Sequence, residues 1–97
     1  MFYVKVHNYE DGELVAICDK ELIGMNFSDG DFGLNITERF YKGELKDKED
    51  VIFILQNSKN TNVVGNQAVK LCVELGLITE EDIIKIQDTA HALIINI

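Results

Sequence analysis

The sequence predicts a single α+β domain over residues 1–97: a small, mainly antiparallel sheet of short strands with two main helices packed against it. Three observations carry this. Apolar residues alternate at both ends of the chain, at Val4 and Val6 and again at Leu93, Ile95 and Ile97. Asp-Gly pairs at 11–12 and 29–30 punctuate the first third. Between them and the terminus lie two stretches with helical start signals.

Phe2 to Tyr9 has the period-2 pattern of a half-buried strand. Asp11-Gly12 favours a type I′ hairpin turn, because both central residues of that turn need positive φ. This turn pairs Glu10 with Glu13, Val6 with Ile17 and Lys5 with Cys18. Val4, Val6, Val15 and Ile17 then form one apolar face, with His7, Ala16 and Cys18 on the other. Asp19 can cap a single helical turn through Leu22, closed by Gly24. Phe32, Leu34 and Ile36 alternate after Asp29-Gly30, which predicts a second hairpin. Thr37 to Gly43 reads as a short capped turn with Phe40 and Tyr41 as packing anchors.

Val51 to Leu55 suits either a buried strand or a helix. Asp47 ahead of Lys48-Glu49-Asp50 puts acids in a first helical turn, so a helix is expected over 48–57. Asn57 to Asn62 breaks it. A second helix is expected over 62–75, where Val64, Ala68, Leu71, Cys72 and Leu75 fall on one face and Gly76 ends it. Thr79 and Asp82 have capping-box spacing. Ile84 and Ile86 begin another strand, and Leu93 to Ile97 close the sheet.

The composition narrows function mainly by exclusion. The 97 residues carry 9 basic and 17 acidic side chains, a net charge of −8. Neither half offers a basic stripe, so nucleic-acid binding by this chain alone and binding to anionic lipid are both disfavoured. No unbroken apolar run exceeds five residues, and no secretory signal pattern is visible. Cys18 and Cys72 are therefore expected as free thiols in the cytoplasm. There is no C-x-x-C, no H-x-x-x-H and no phosphate-binding glycine motif, so no metal site and no cofactor are expected. Asp19 and Glu21 beside Cys18 oppose a reactive thiolate, and no catalytic residues are assigned.

The run Cys18-Asp19-Lys20-Glu21-Leu22-Ile23-Gly24, then Phe27, Asp29-Gly30, Phe40-Tyr41 and Gly43, forms one part of a pattern. Asn62-Val63-Val64-Gly65, Ala68-Val69, Gly76-Leu77-Ile78 and His91-Ala92 complete it. In this order, over nearly the whole chain, it resembles an archaeal family of uncharacterised proteins, domain of unknown function 424. The resemblance implies a small stand-alone α+β protein and brings no activity with it. The segment before His91, usually rich in Gly and Pro in that family, is here Gln87-Asp88-Thr89-Ala90.

Four residues are the candidate ligand- or partner-binding positions: Asn62, Gly65, Asn66 and His91. Asn57, Asn60, Asn62 and Asn66 cluster at the expected helix start, and a Gly within its first turns costs stability unless the backbone must approach something closely. An N-cap Asn and a helix packed tightly on a strand explain the same residues structurally. The favoured function is a non-enzymatic interaction module docking on a larger protein, such as a basic component of translation or RNA processing. The alternative is a small-molecule-binding protein or minor enzyme using Asn62, Gly65 and His91, which requires the three to converge. A third reading is RNA binding on the His7 face, where Tyr3 and Tyr9 alternate with Lys5. Exposed sheet edges leave a homo-oligomer open.

Overall fold

A computed structural model describes residues 1–96. Ile97, read above as the end of the closing strand, lies outside the described residues. The strands are β1 (Phe2–Tyr9), β2 (Gly12–Asp19), β3 (Asn26–Asp29), β4 (Phe32–Asn35), β5 (Glu44–Lys46), β6 (Asn60–Val64), β7 (Ile84–Ile86) and β8 (Thr89–Ile95). The helices are α1 (Glu38–Tyr41), α2 (Lys48–Asn57) and α3 (Asn66–Glu74). Single 3-10 turns occupy Lys20–Leu22 and Glu80–Asp82.

Six strands form one sheet in the order β5-β1-β2-β6-β8-β7, while β3 and β4 form a separate hairpin. The large sheet is mostly antiparallel, with one parallel pair, β2 with β6. That pair refines the mainly antiparallel expectation. Following strand directions, β5 and β6 run the same way, and so do β6 and β7. The two longer helices are therefore crossovers between parallel strands that are not neighbours, split β-α-β units.

Helix α2 starts where its acids predict. Asp47 caps it locally, its Oδ1 accepting from the Asp50 N–H at 2.9 Å. Helix α3 ends in a Schellman arrangement: the Leu77 N–H reaches the Cys72 carbonyl and the Gly76 N–H the Val73 carbonyl, both at 3.0 Å. Its start differs from expectation. The residues 60–64, read partly as a helix breaker and partly as helix, are strand β6. Thr61 and Val63 point to one face, beside Val15 and Ile17. Asn60 and Asn62 point to the other. A strand whose second face begins Asn60, Asn62 before Val64 looks like a loop in sequence.

The first hairpin keeps its predicted faces but not its register. Tyr9 pairs with Gly12, Val6 with Val15 and Lys5 with Ala16. Of the predicted Asp-Gly pair only Gly12 has positive φ, so the turn centres on Glu10 and Asp11 instead. Moving the turn by one residue shifts partners by two, and a shift of two preserves faces. The two-residue turn with both φ positive lies at Gln87 (50°) and Asp88 (65°), between β7 and β8.

One face of the sheet holds the main core, where Phe2, Val4, Val15, Ile17, Val63, Ala92 and Ile94 meet Val51 and Leu55 of α2 and Ala68, Leu71 and Cys72 of α3. The second face is covered only in part. There Ala16, Cys18, Val64 and Ile86 pack against Leu34, Ile36 and Tyr41 from the β3–β4 hairpin and α1. Among the described residues, no helix is long and apolar enough to cross a membrane.

Candidate functional site: the half-open second face of the sheet

The four predicted site residues lie on β6, β8 and the start of α3 and divide into two pairs with different work. Gly65 and Asn66 hold the fold. Gly65 precedes α3 with φ 113°, and a Cβ there would stand 2.3 Å from the Asp19 carboxyl carbon. That space is occupied because Asp19, 3% exposed, caps α3 from the end of β2. Its Oδ2 accepts from the Gln67 N–H at 3.0 Å and its Oδ1 from the Ala68 N–H at 2.9 Å. The cap predicted for the turn at 20–22 is absent, since Asp19 makes no side-chain bond to that turn. Burial pushes the Asp19 carboxyl above the usual carboxylate range, the two amide donors opposing it and Glu21 adding to it. The helix start is thus at 66 rather than 62, and its positive end is satisfied by the protein's own acid.

Asn66 clamps the turn that precedes His91. Its Nδ2 donates to the Asp88 carbonyl and its Oδ1 accepts from the Ala90 N–H, both at 2.9 Å. Gln87 Oε1 accepts from the Ser28 N–H at 3.1 Å. The turn is therefore fixed without the Gly and Pro that the family resemblance led us to expect.

Asn62 and His91 converge. Asn62 Oδ1 accepts from the Tyr41 hydroxyl at 2.7 Å and lies 3.1 Å from His91 Nε2. An amide oxygen is only an acceptor, so this arrangement assigns the imidazole proton to Nε2. Burial holds His91 below the usual imidazole range, which keeps it neutral at physiological pH. Burial, with a contribution from Cys18, pushes the Tyr41 phenol up to about 12, so it stays a donor. Among the described residues, Asn62 Nδ2 and His91 Nδ1 have no protein partner. Neither is a fully buried unpaired atom, a condition met by Thr61 Oγ1. Both therefore keep some access to solvent, one a donor and one an acceptor.

Beside this network the second face is bare. A groove of about 410 Å³ is lined by Tyr9, Leu14, Asn60, Leu93 and Ile95, with Asp11 and Glu13 at its border. Leu93 lies directly opposite Asn62 across β6 and β8, so the polar network marks where the covered half ends. Tyr9 is 61%, Leu93 58% and Ile95 72% exposed. Leu93 and Ile95, part of the alternation read as the closing strand, face outward, while Ala90, Ala92 and Ile94 of the same strand face the core. The His7 side of the same face is closed: His7 stacks on Phe40 at 4.7 Å and its Nε2 donates to the Phe40 carbonyl at 2.8 Å. That leaves little of the aromatic platform expected for RNA.

The thiols do not join the site. Cys18 and Cys72 are buried in the separate cores on opposite faces of the sheet. Burial, reinforced by Asp19 and Glu21 and opposed by a bond from the Tyr3 backbone, pushes the Cys18 thiol up to about 12. Burial raises Cys72 to about 11. Neither is a thiolate at neutral pH.

A mixed six-stranded sheet with two crossover helices and a half-open second face defines a small α+β protein whose accessible surface chemistry is apolar and acidic. The chain belongs to the family described as Protein of unknown function (DUF424), whose model matches residues 7–97. It is similar in fold to a solved structure, the "Crystal structure of an uncharacterized conserved protein from Methanopyrus kandleri". The TM-score is 0.76 at 22% identity, over 96% of this chain and 89% of that one. No curated protein matches the sequence.

Proposed function

We propose that this protein is a non-enzymatic interaction module that docks on a larger, basic protein through the groove on its second sheet face. The observation that carries this is the exposure of Tyr9, Leu93 and Ile95 together on a face whose other half is packed. Clustered exposed apolar side chains mark interaction surfaces more often than scattered ones do. The border supplies Asp11 and Glu13 and no cation, so the complementary surface is apolar with basic side chains around it. Proteins that bind RNA carry such basic surfaces, which makes a translation or RNA-processing protein the partner class we name. Two buried free thiols fit a reducing cytoplasm.

The test is capture from native lysate on immobilised protein, comparing wild type with a Tyr9→Ser, Leu93→Ser variant. A basic protein retained by wild type, and lost both in the variant and at high salt, is expected. Equal retention by the variant, or no retained protein, contradicts the reading.

The second reading, a small-molecule-binding protein or minor enzyme, now rests on Asn62 and His91 alone, since Gly65 and Asn66 are engaged in the fold. One observation favours it: Asn62, paired across the strands with the groove residue Leu93, and His91 carry a donor and an acceptor with no protein partner among the described residues. Shifts of the Asn62 side-chain amide signals on titration with small lactams or amides would support it. Unmoved signals would remove it.

A further inference from the structure

The edges of the large sheet are unequal. At one end, β5 is three residues long and carries Glu44 and Lys46, which pair at 2.9 Å. Short, charged edges resist added strands. At the other end, β7 covers β8 only from Thr89 to His91, while β8 runs on to Ile95. Upstream of Ile84 the chain has left the sheet plane: Glu80 and Ile83 line a crevice with Val69 and Val73 of α3.

The hydrogen-bond phase shows what this leaves open. The Gly65 N–H donates to the Ala90 carbonyl at 2.9 Å and the Asn96 N–H to the Lys59 carbonyl at 2.7 Å. Even-numbered residues of β8 therefore aim their backbone groups at β6, and odd-numbered ones aim outward. Thr89 and His91 find β7. The N–H and C=O of Leu93 and Ile95 find no strand among the described residues. From Thr89 to Asn96 the chain carries no Asp, Glu, Lys, Arg or Pro.

We propose that two copies of this chain pair antiparallel along the open edge of β8, joining two six-stranded sheets into one. A two-fold axis beside Ile94 sets Leu93 opposite Ile95 of the partner subunit. Each then exchanges both backbone hydrogen bonds, and all four open groups of each copy are satisfied. Centring on Ile95 instead also keeps every side chain on its own face, since the sum of paired residue numbers stays even. Charge selects a copy over a basic partner here. The acids that would recruit cations border the groove, whereas the edge is neutral, so two chains of net charge −8 meet where they repel least. The seam is short and falls below the standard interface size, so the dimer is concentration-dependent. Salt strengthens it by screening the rest of the surface. This goes beyond the docking reading, because the groove stays open on the face while the edge is paired.

Sedimentation velocity across the micromolar range tests it. Wild type is expected to shift from monomer to dimer with concentration, more readily at high salt. Ile95→Pro removes an outward N–H that β6 does not use, so the fold is kept and the dimer is lost. Leu93→Lys with Ile95→Lys sets cations across the seam and gives the same loss without touching the backbone. In wild type, exchange of the Leu93 and Ile95 amides slows at least tenfold on concentration, and that of the exposed Phe53 side does not change. Wild type that stays monomeric, or variants that dimerise as wild type does, would overturn the proposal. Tyr9→Ser alone separates the two readings, since Tyr9 lines the groove but lies off the seam: it should weaken partner capture and leave the dimer as in wild type.

Discussion

The two faces of the large sheet solve the same problem in opposite ways. The first is sealed by two amphipathic helices, and the side chains beneath them are almost wholly apolar. The second is sealed by a hairpin and one helical turn over half its area. It ends in a polar border, Tyr41–Asn62–His91, with bare Leu93 and Ile95 beyond. A sheet face that is finished on one side of a hydrogen-bonded network and left apolar on the other separates stability from recognition. The first face should answer to volume, the second to hydrogen bonding and to partners.

The largest effect falls on the joint that aligns α3 with the first face. Gly65→Ala puts a Cβ into the Asp19 carboxylate at an unfavourable φ, combining backbone strain with a lost cap. We expect about 4 kcal/mol of destabilisation in urea unfolding. Next comes Leu55→Ala under α2, fully buried, at about 3 kcal/mol. On the second face, Asn62→Ala leaves the Tyr41 hydroxyl and His91 Nε2–H without their acceptor and should cost about 2 kcal/mol. A smaller effect comes from pH. The folded protein holds His91 below its ordinary value, so the unfolded chain takes up the proton first. Stability is full above the ordinary imidazole value and falls as pH drops through the window down to the folded one. The dependence should vanish from urea midpoints of His91→Gln. Leu93→Ala, by contrast with Leu55→Ala, should stay within about 0.5 kcal/mol. If it destabilises as Leu55→Ala does, the faces are not divided as described.

The same division governs what the sequence reveals. Local signals were legible: Asp47 three residues before the amide it caps, Thr37 likewise at 3.2 Å from the Phe40 N–H, the Gly76 stop, and the faces of the first hairpin. The joint at α3 was not, because its cap arrives from Asp19, 48 and 49 positions away from the amides it serves. Gly65 and Asn62 were visible as unusual, yet their partners are tertiary, so they were grouped at one helix start. Strand β6 hid behind its Asn residues, although Thr61 and Val63 alternating before Gly65 were the signal for it. Which side of β8 meets the core was not legible, because β8 is apolar in both phases and only the packing of Ala92 and Ile94 decides it. Asn62 and His91 were picked out from sequence and do meet, through an oxygen that also serves Tyr41.

The division is tested most directly by placing a photo-crosslinking residue at Tyr9, in the groove, or at Phe53, 67% exposed on α2 over the first face, and irradiating each in native lysate. Crosslinking to a distinct basic protein from Tyr9 and not from Phe53, suppressed by salt, is the result expected. Equal crosslinking from both positions, or crosslinking from Phe53 alone, would contradict the assignment of recognition to the second face.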